Sequence, residues 1–136
     1  MGGLSGSLST FPNFLAYFAG GSGLTAIFVL LYTNLTPYRE IALIRAGNTA
    51  AAIAFVGALL GFVMPLASVI AHSASLLDVG VWGVVALIVQ MGGFLLARLV
   101  LPRLPEAIEQ GHVADAVFLA GLSAALGLLD AACMAG

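Results

Sequence analysis

TAAAIAFVGALLGFVMPLASVIA, residues 49–71, holds no charged side chain and decides the fold class. A helix rises 1.5 Å per residue, so about 20 apolar residues cross the hydrocarbon core of a bilayer. This stretch is long enough, and it ends at the polar His72-Ser73. Three more stretches meet the same length at 14–33, 79–101 and 114–134. Membrane β-barrels need alternating segments of about ten residues, whereas these runs are continuously apolar. The expected fold is an all-α integral membrane bundle of four transmembrane helices.

Composition agrees. Hydrophobic residues make up 62% of the 136-residue chain, charged residues 7%, and mean hydropathy is +1.15. Soluble domains carry about 25% charged residues, and small ones bury only about 60–70% of their chain surface. The remaining apolar surface must face lipid, so the bilayer is the first expected partner. A net charge of −2 gives no reason to expect nucleic acid. The single cysteine, Cys133, rules out an intramolecular disulfide or a multi-cysteine metal site. Residues 1–13 carry no Lys or Arg and read as a Gly/Ser-rich tail without a cleavable signal.

The connections carry direction. All four positive side chains are arginines: Arg39, Arg45, Arg98 and Arg103, in or beside the first and third loops. Cytoplasmic loops retain Lys and Arg, which places loops one and three inside and both termini outside. In loop one, Thr36 reads as an N-cap, Pro37 as the first helical residue, Glu40 as an early acid and Gly47 as the stop. A short interfacial helix is expected there, and another in loop three from Pro105 to Gly111. Tyr32 and Tyr38 on the inner side, and Tyr17 and Trp82 on the outer, suit aromatic belts.

Sliding the chain by 64 residues (Gly47 to Gly111) superposes Arg39 on Arg103, Ile44 on Ile108, Ala50 on Ala114 and Gly57 on Gly121. Two parallel two-helix repeats are expected, 14–72 and 79–136, joined by a short outer loop at 73–78. Each repeat holds two spans, so both enter the membrane in the same orientation.

These motifs also carry a resemblance. LTPYRE (35–40), LIRAGNTAA (43–51) and LLGFVMPL (59–66), followed by Trp82-Gly83, Val89-Gln90 and DAACM (130–134), resemble the YjfL-like membrane proteins, the domain-of-unknown-function family 350. The resemblance covers essentially the whole chain. It implies a small bacterial inner-membrane protein of two two-helix units, without an assigned activity. It also implies membrane-stress proteins as partners, because such proteins are encoded near family members. The family commonly has asparagine where this chain has Asp130.

Polar residues inside the spans are the first places to seek function. Gln90, near the middle of the third span, reads either as a pore contact or as an interhelical hydrogen bond worth about 0.6–2 kcal/mol. Asp130 reads as a cation or proton site, or as a carboxylate near the outer interface. His72, Ser73 and Ser75 share its depth and are its expected partners. Gly57 and Gly61, with Ser123, Gly127 and Ala131, form small-residue faces for helix packing within or between chains. Pro65 should kink the second span and free the Gly61 carbonyl. Asp115 and His112 offer two ligands where catalytic zinc needs three, so no metal and no cofactor is expected. A non-enzymatic, homo-oligomeric membrane component with an envelope or membrane-stress role is the leading expectation. An oligomeric channel or carrier for a small cation is the other. Polar groups converging on one continuous route would favour the channel.

Overall fold

The structure, a computed structural model, describes residues 3–72 and 75–135, with side chains for 10–72 and 75–134. It is helical throughout: α1 (Gly3–Leu35), α2 (Glu40–Arg45), α3 (Thr49–His72), α4 (Leu76–Val100), α5 (Leu104–Glu109) and α6 (Val113–Ala135). Four of these, α1, α3, α4 and α6, are long and apolar enough to span a membrane. Hydrocarbon supplies no hydrogen bonds, so the backbone must satisfy itself within each helix. Side-chain hydroxyls do the same: Thr25 and Thr33 donate to the carbonyls of Gly21 and Val29, each at 2.8 Å.

Of the N-terminal tail expected at 1–13, residues 1 and 2 lie outside the described residues and the rest is corrected: α1 is already helical from Gly3 and continues through Pro12. Gly and Ser are weak helix formers in water, which is why the segment reads as a tail. Pro12 stands inside the helix, where it removes one intrahelical hydrogen bond without ending the helix.

α3 and α6 run in the same direction and make the most extensive contact of the bundle. Their main chains touch. A Cβ added at Gly57 would strike Ala120, one at Gly61 would strike the Ser123 carbonyl, and one at Gly127 would strike the Gly61 backbone. The Ser68 hydroxyl extends this seam, donating to the Ala131 carbonyl at 3.2 Å. Pro65 is buried within an unbroken α3, and the Gly61 carbonyl it leaves free lies under Gly127 of α6.

α4 lies across both α3 and α6, and α1 packs on α3 and α4. The bundle centre is aromatic. Phe28 of α1 stacks on Phe62 of α3 at 4.6 Å and on Tyr32 at 5.4 Å, and Tyr32 meets Phe94 of α4 edge-on at 5.7 Å. All four rings are buried. Tyr32 and Tyr38 therefore do not form the inner aromatic belt, because both are inside the protein.

The two short helices end alike. Gly47 N–H bonds Ile44 O, and Gly111 N–H bonds Ile108 O, both at 3.0 Å. Asn48 N–H then reaches Leu43 O at 2.9 Å, as His112 N–H reaches Ala107 O at 2.8 Å. This paired closure is the Schellman motif, which needs a left-handed residue. Gly47 and Gly111 supply it with φ of 90° and 82°. The starts differ from expectation in loop one. α2 begins at Glu40, without a side-chain cap, whereas Pro105 does stand in the first turn of α5. Asn48 joins the loops, its Nδ2 donating to Ile108 O at 2.9 Å, while its Oδ1 accepts from Ala51 N–H at 3.0 Å.

The seam yields a test. Gly61→Ala should destabilise the protein by about 1–3 kcal/mol through overpacking, whereas Gly92→Ala, which has open space, should not. Unfolding of the detergent-solubilised protein measures both, and equal effects would contradict the seam.

Candidate functional site

Polar groups gather in three separate places, and the side chains expected to act together do not meet. Gln90 sits mid-helix on α4 and is 1% exposed. Its Nε2 donates to Ser123 O of α6 at 3.1 Å, and its Oε1 is buried without a partner among the described residues. The amide occupies space left by the missing side chain of Gly61, where a Cβ would lie 2.8 Å from both amide heteroatoms. Gln90 thus pins α4 to the α3–α6 seam.

Asp130 lies toward the opposite end of the bundle from α2 and α5, half-buried on α6. Its Oδ2 is enclosed and accepts no hydrogen bond among the described residues. His72 does not reach it: the ring is exposed, with Nδ1 2.8 Å from Ser68 O on its own helix. His72 instead shares a recess with Asp78 and Trp82. The proposed contact with Ser73 falls outside the described residues. Gln90, Asp130 and His72 are therefore not one site.

The third place is the arginine-bearing end. Glu40 opens α2 and is 1% exposed. The Thr36 hydroxyl donates to its Oε1 at 2.7 Å. Among the described residues its Oε2 is buried without a partner, and so are the hydroxyls of Tyr38 and of Tyr32, which rises from the aromatic core. Thr36, Tyr38 and Glu40 line a recess together with Arg39 and Arg45, both exposed. An unpaired buried polar atom costs about 1–3 kcal/mol, so three in one neighbourhood is an arrangement the fold alone does not favour.

Electrostatics follow from the burial. Removal from water raises the Glu40 pKa, against the lowering effect of the Thr36 hydroxyl and a backbone N–H. Burial also holds the Tyr38 hydroxyl well above its ordinary value, reinforced by the negative charges of Glu40 and Glu109. The site can hold a proton on Glu40, or offer carboxylate, phenol and hydroxyl oxygens to a cation. Among the described residues no group of three His, Cys, Asp or Glu side chains is placed to hold a metal.

A signal for Glu40 was available in the sequence. At the 64-residue displacement it falls on Leu104, which is fully buried. The equivalent position in the second half therefore takes a hydrocarbon side chain.

The raised pKa of Glu40 has a signed consequence. The folded state holds the proton more tightly than the unfolded state, whose value is the ordinary 4.5. Stability should therefore fall as pH rises through 4.5 and level off above the folded pKa. Glu40→Gln should remove this component. Thermal unfolding of both proteins across a pH series measures it, and superimposable pH profiles would refute the buried carboxyl.

Comparison with known proteins places the chain in a family. The family described as Domain of Unknown Function (DUF350) matches residues 6–134. The UPF0719 inner membrane protein YjfL of Escherichia coli (strain K12) is 40% identical over 127 residues, covering 93% of this chain and 96% of the relative. The protein of the same name from Escherichia coli O157:H7 matches equally. No solved structure matches. Four apolar spanning helices and a family match over nearly the whole length agree: this multi-pass membrane protein belongs to the DUF350 family.

Proposed function

We propose that the chain is a non-enzymatic, self-associating component of the bacterial inner (plasma) membrane, with an envelope or membrane-stress role and membrane-stress proteins among its partners. The observation that carries this reading is the filled centre of the bundle. The packed rings of Phe28, Tyr32, Phe62 and Phe94 occupy it, and among the described residues Gln90 and His72 each bond elsewhere than to Asp130. A single chain of this shape holds helices together and offers a surface to neighbours.

Its architecture is read as two parallel two-helix repeats, with α2 and α5 at the cytoplasmic interface and both termini outside. The matching hydrogen bonds that close α2 and α5 support the repeat, as does the parallel course of α3 and α6. The grouping of Arg39, Arg45, Arg98 and Arg103 supports the orientation. Labelling of single cysteines at positions 5 and 110 in a Cys133→Ser background tests it. Reaction of position 5 only from the cytoplasmic side would reverse the topology. Purified protein in mild detergent tests self-association: an oligomer is expected, and a monodisperse monomer would refute it.

A second reading, a channel or carrier for a small cation, has one observation in its favour. Glu40 Oε2 and the Tyr32 and Tyr38 hydroxyls are buried without partners, and three oxygens of this kind suit a hard cation or a proton. The path expected through Gln90 and Asp130 would move to Glu40. Cation flux into proteoliposomes decides it: flux abolished by Glu40→Leu, with the fold retained as Leu104 leads one to expect, would support the carrier. No flux above empty liposomes would refute it.

A further inference from the structure

The recess beside Arg39 and Arg45 reaches further than the Glu40 neighbourhood. α2 packs on α3 rather than on α1, which leaves a space of about 670 Å³ between α2 and the last turns of α1. Val29, Leu30 and Thr33 line it from α1, and Ile41, Ala42 and Arg45 from α2. In the second half, the counterparts of Leu30 and Thr33 at the 64-residue displacement are Phe94 and Ala97, both buried. The recess is thus a feature of the first half and not of the repeat.

Its lining joins two kinds of surface. Leu30 and Ile41 are exposed apolar side chains, and the α1 span closes at Leu35, so the α1 wall belongs to the hydrocarbon. Beyond that boundary stand Arg39 and Arg45, exposed and without an ion pair among the described residues. The polar groups of α1 are already engaged: the Thr33 hydroxyl donates to Val29 O and Asn34 Nδ2 to Leu30 O, each at 2.8 Å. Glu40 is the acid in the lining, and it is withdrawn, fully buried with Oε1 held by the Thr36 hydroxyl. A ligand therefore meets apolar surface next to two uncompensated guanidinium groups. Loop three has the opposite balance. The counterpart of Arg45 is Glu109, and Glu106 and Glu109 are both exposed alongside Arg103.

We infer that this recess binds an anionic phospholipid, with its phosphate on Arg39 and Arg45 and the start of an acyl chain along Val29, Leu30 and Ile41. A guanidinium pairs with phosphate oxygens through two parallel hydrogen bonds, and basic pockets beside membrane spans take acidic headgroups. Small-molecule sites occupy about 300–1,000 Å³, so the recess has room for a headgroup and the first carbons of a chain. A zwitterionic lipid would bring its own cation to the arginines. A free phosphate would leave the apolar wall uncovered. The site depends on neither the self-association nor the carrier reading.

Native mass spectrometry of the full-length protein in detergent, titrated with phosphatidylglycerol, tests it. One phosphatidylglycerol per chain should be retained in preference to phosphatidylcholine of the same acyl chains. Arg39→Gln and Arg45→Gln should each weaken retention about fivefold, the contribution of one basic residue near an anionic headgroup. Arg98→Gln and Arg103→Gln should not. Ala42→Trp, which fills the recess without changing its charge, should also release the lipid, and Leu30→Trp blocks the other wall should the first variant fail to fold. Inorganic phosphate should not displace the lipid. Equal retention of the two lipids, or equal loss from all four arginine variants, would overturn the site in favour of diffuse charge attraction. Unchanged binding to a folded tryptophan variant would overturn it by placing the lipid elsewhere. Displacement by inorganic phosphate would also overturn it, since the acyl chain would then contribute nothing.

Discussion

Close approach of two main chains organises this protein. Water contributes nothing to helix association inside a bilayer, because lipid tails are as apolar as leucine. Helices then hold together through van der Waals contact and hydrogen bonds. The seam between α3 and α6 meets that constraint by removing side chains: Gly57, Gly61 and Gly127 bring backbone against backbone. Everything else is arranged around it. α4 can insert Gln90 only because Gly61 leaves space for the amide, and α1 completes the bundle by stacking Phe28 on Phe62. The loops hold register at one end, where Asn48 caps α3 and grips the last carbonyls of α5.

The polar groups follow a different logic. Gln90 finds a carbonyl and becomes a structural pin. The Ser68 hydroxyl does the same between α3 and α6. Glu40 and its neighbours are not explained this way, since the fold leaves one carboxylate oxygen and two phenol hydroxyls unsatisfied. The second half of the chain places Leu104 at the equivalent position and buries it completely. A buried acid kept where leucine suffices for packing makes this end of the bundle the place to look for chemistry.

The two loop helices and the two spans that follow them differ in how far they resemble each other. The closures of α2 and α5 agree bond by bond, because a left-handed glycine after a short helix has few alternatives. The span faces diverge. Small residues are buried on α3 at Gly57 and Gly61, while their counterparts Gly121 and Ala125 are exposed.

Four spans, two short loop helices and the Gly47 and Gly111 stops were legible in the residues alone. Lipid acts on each segment by its own hydropathy, and a left-handed stop depends on a single glycine, so both are local properties. The length of α1 was not legible, since propensities learned in water undervalue a Gly/Ser segment. The small-residue ridges were recognisable, but whether they met a helix of the same chain was a question only packing could answer. Tyr32 and Tyr38 suited a membrane belt and Glu40 the first turn of an interfacial helix. The tertiary structure buried all three, because burial depends on which helices lie alongside and not on the order of residues. For the same reason Gln90, Asp130 and His72, which share a candidate role by chemistry, stand apart in space: sequence determined their depths, and only the packing of α3, α4 and α6 decided their neighbours.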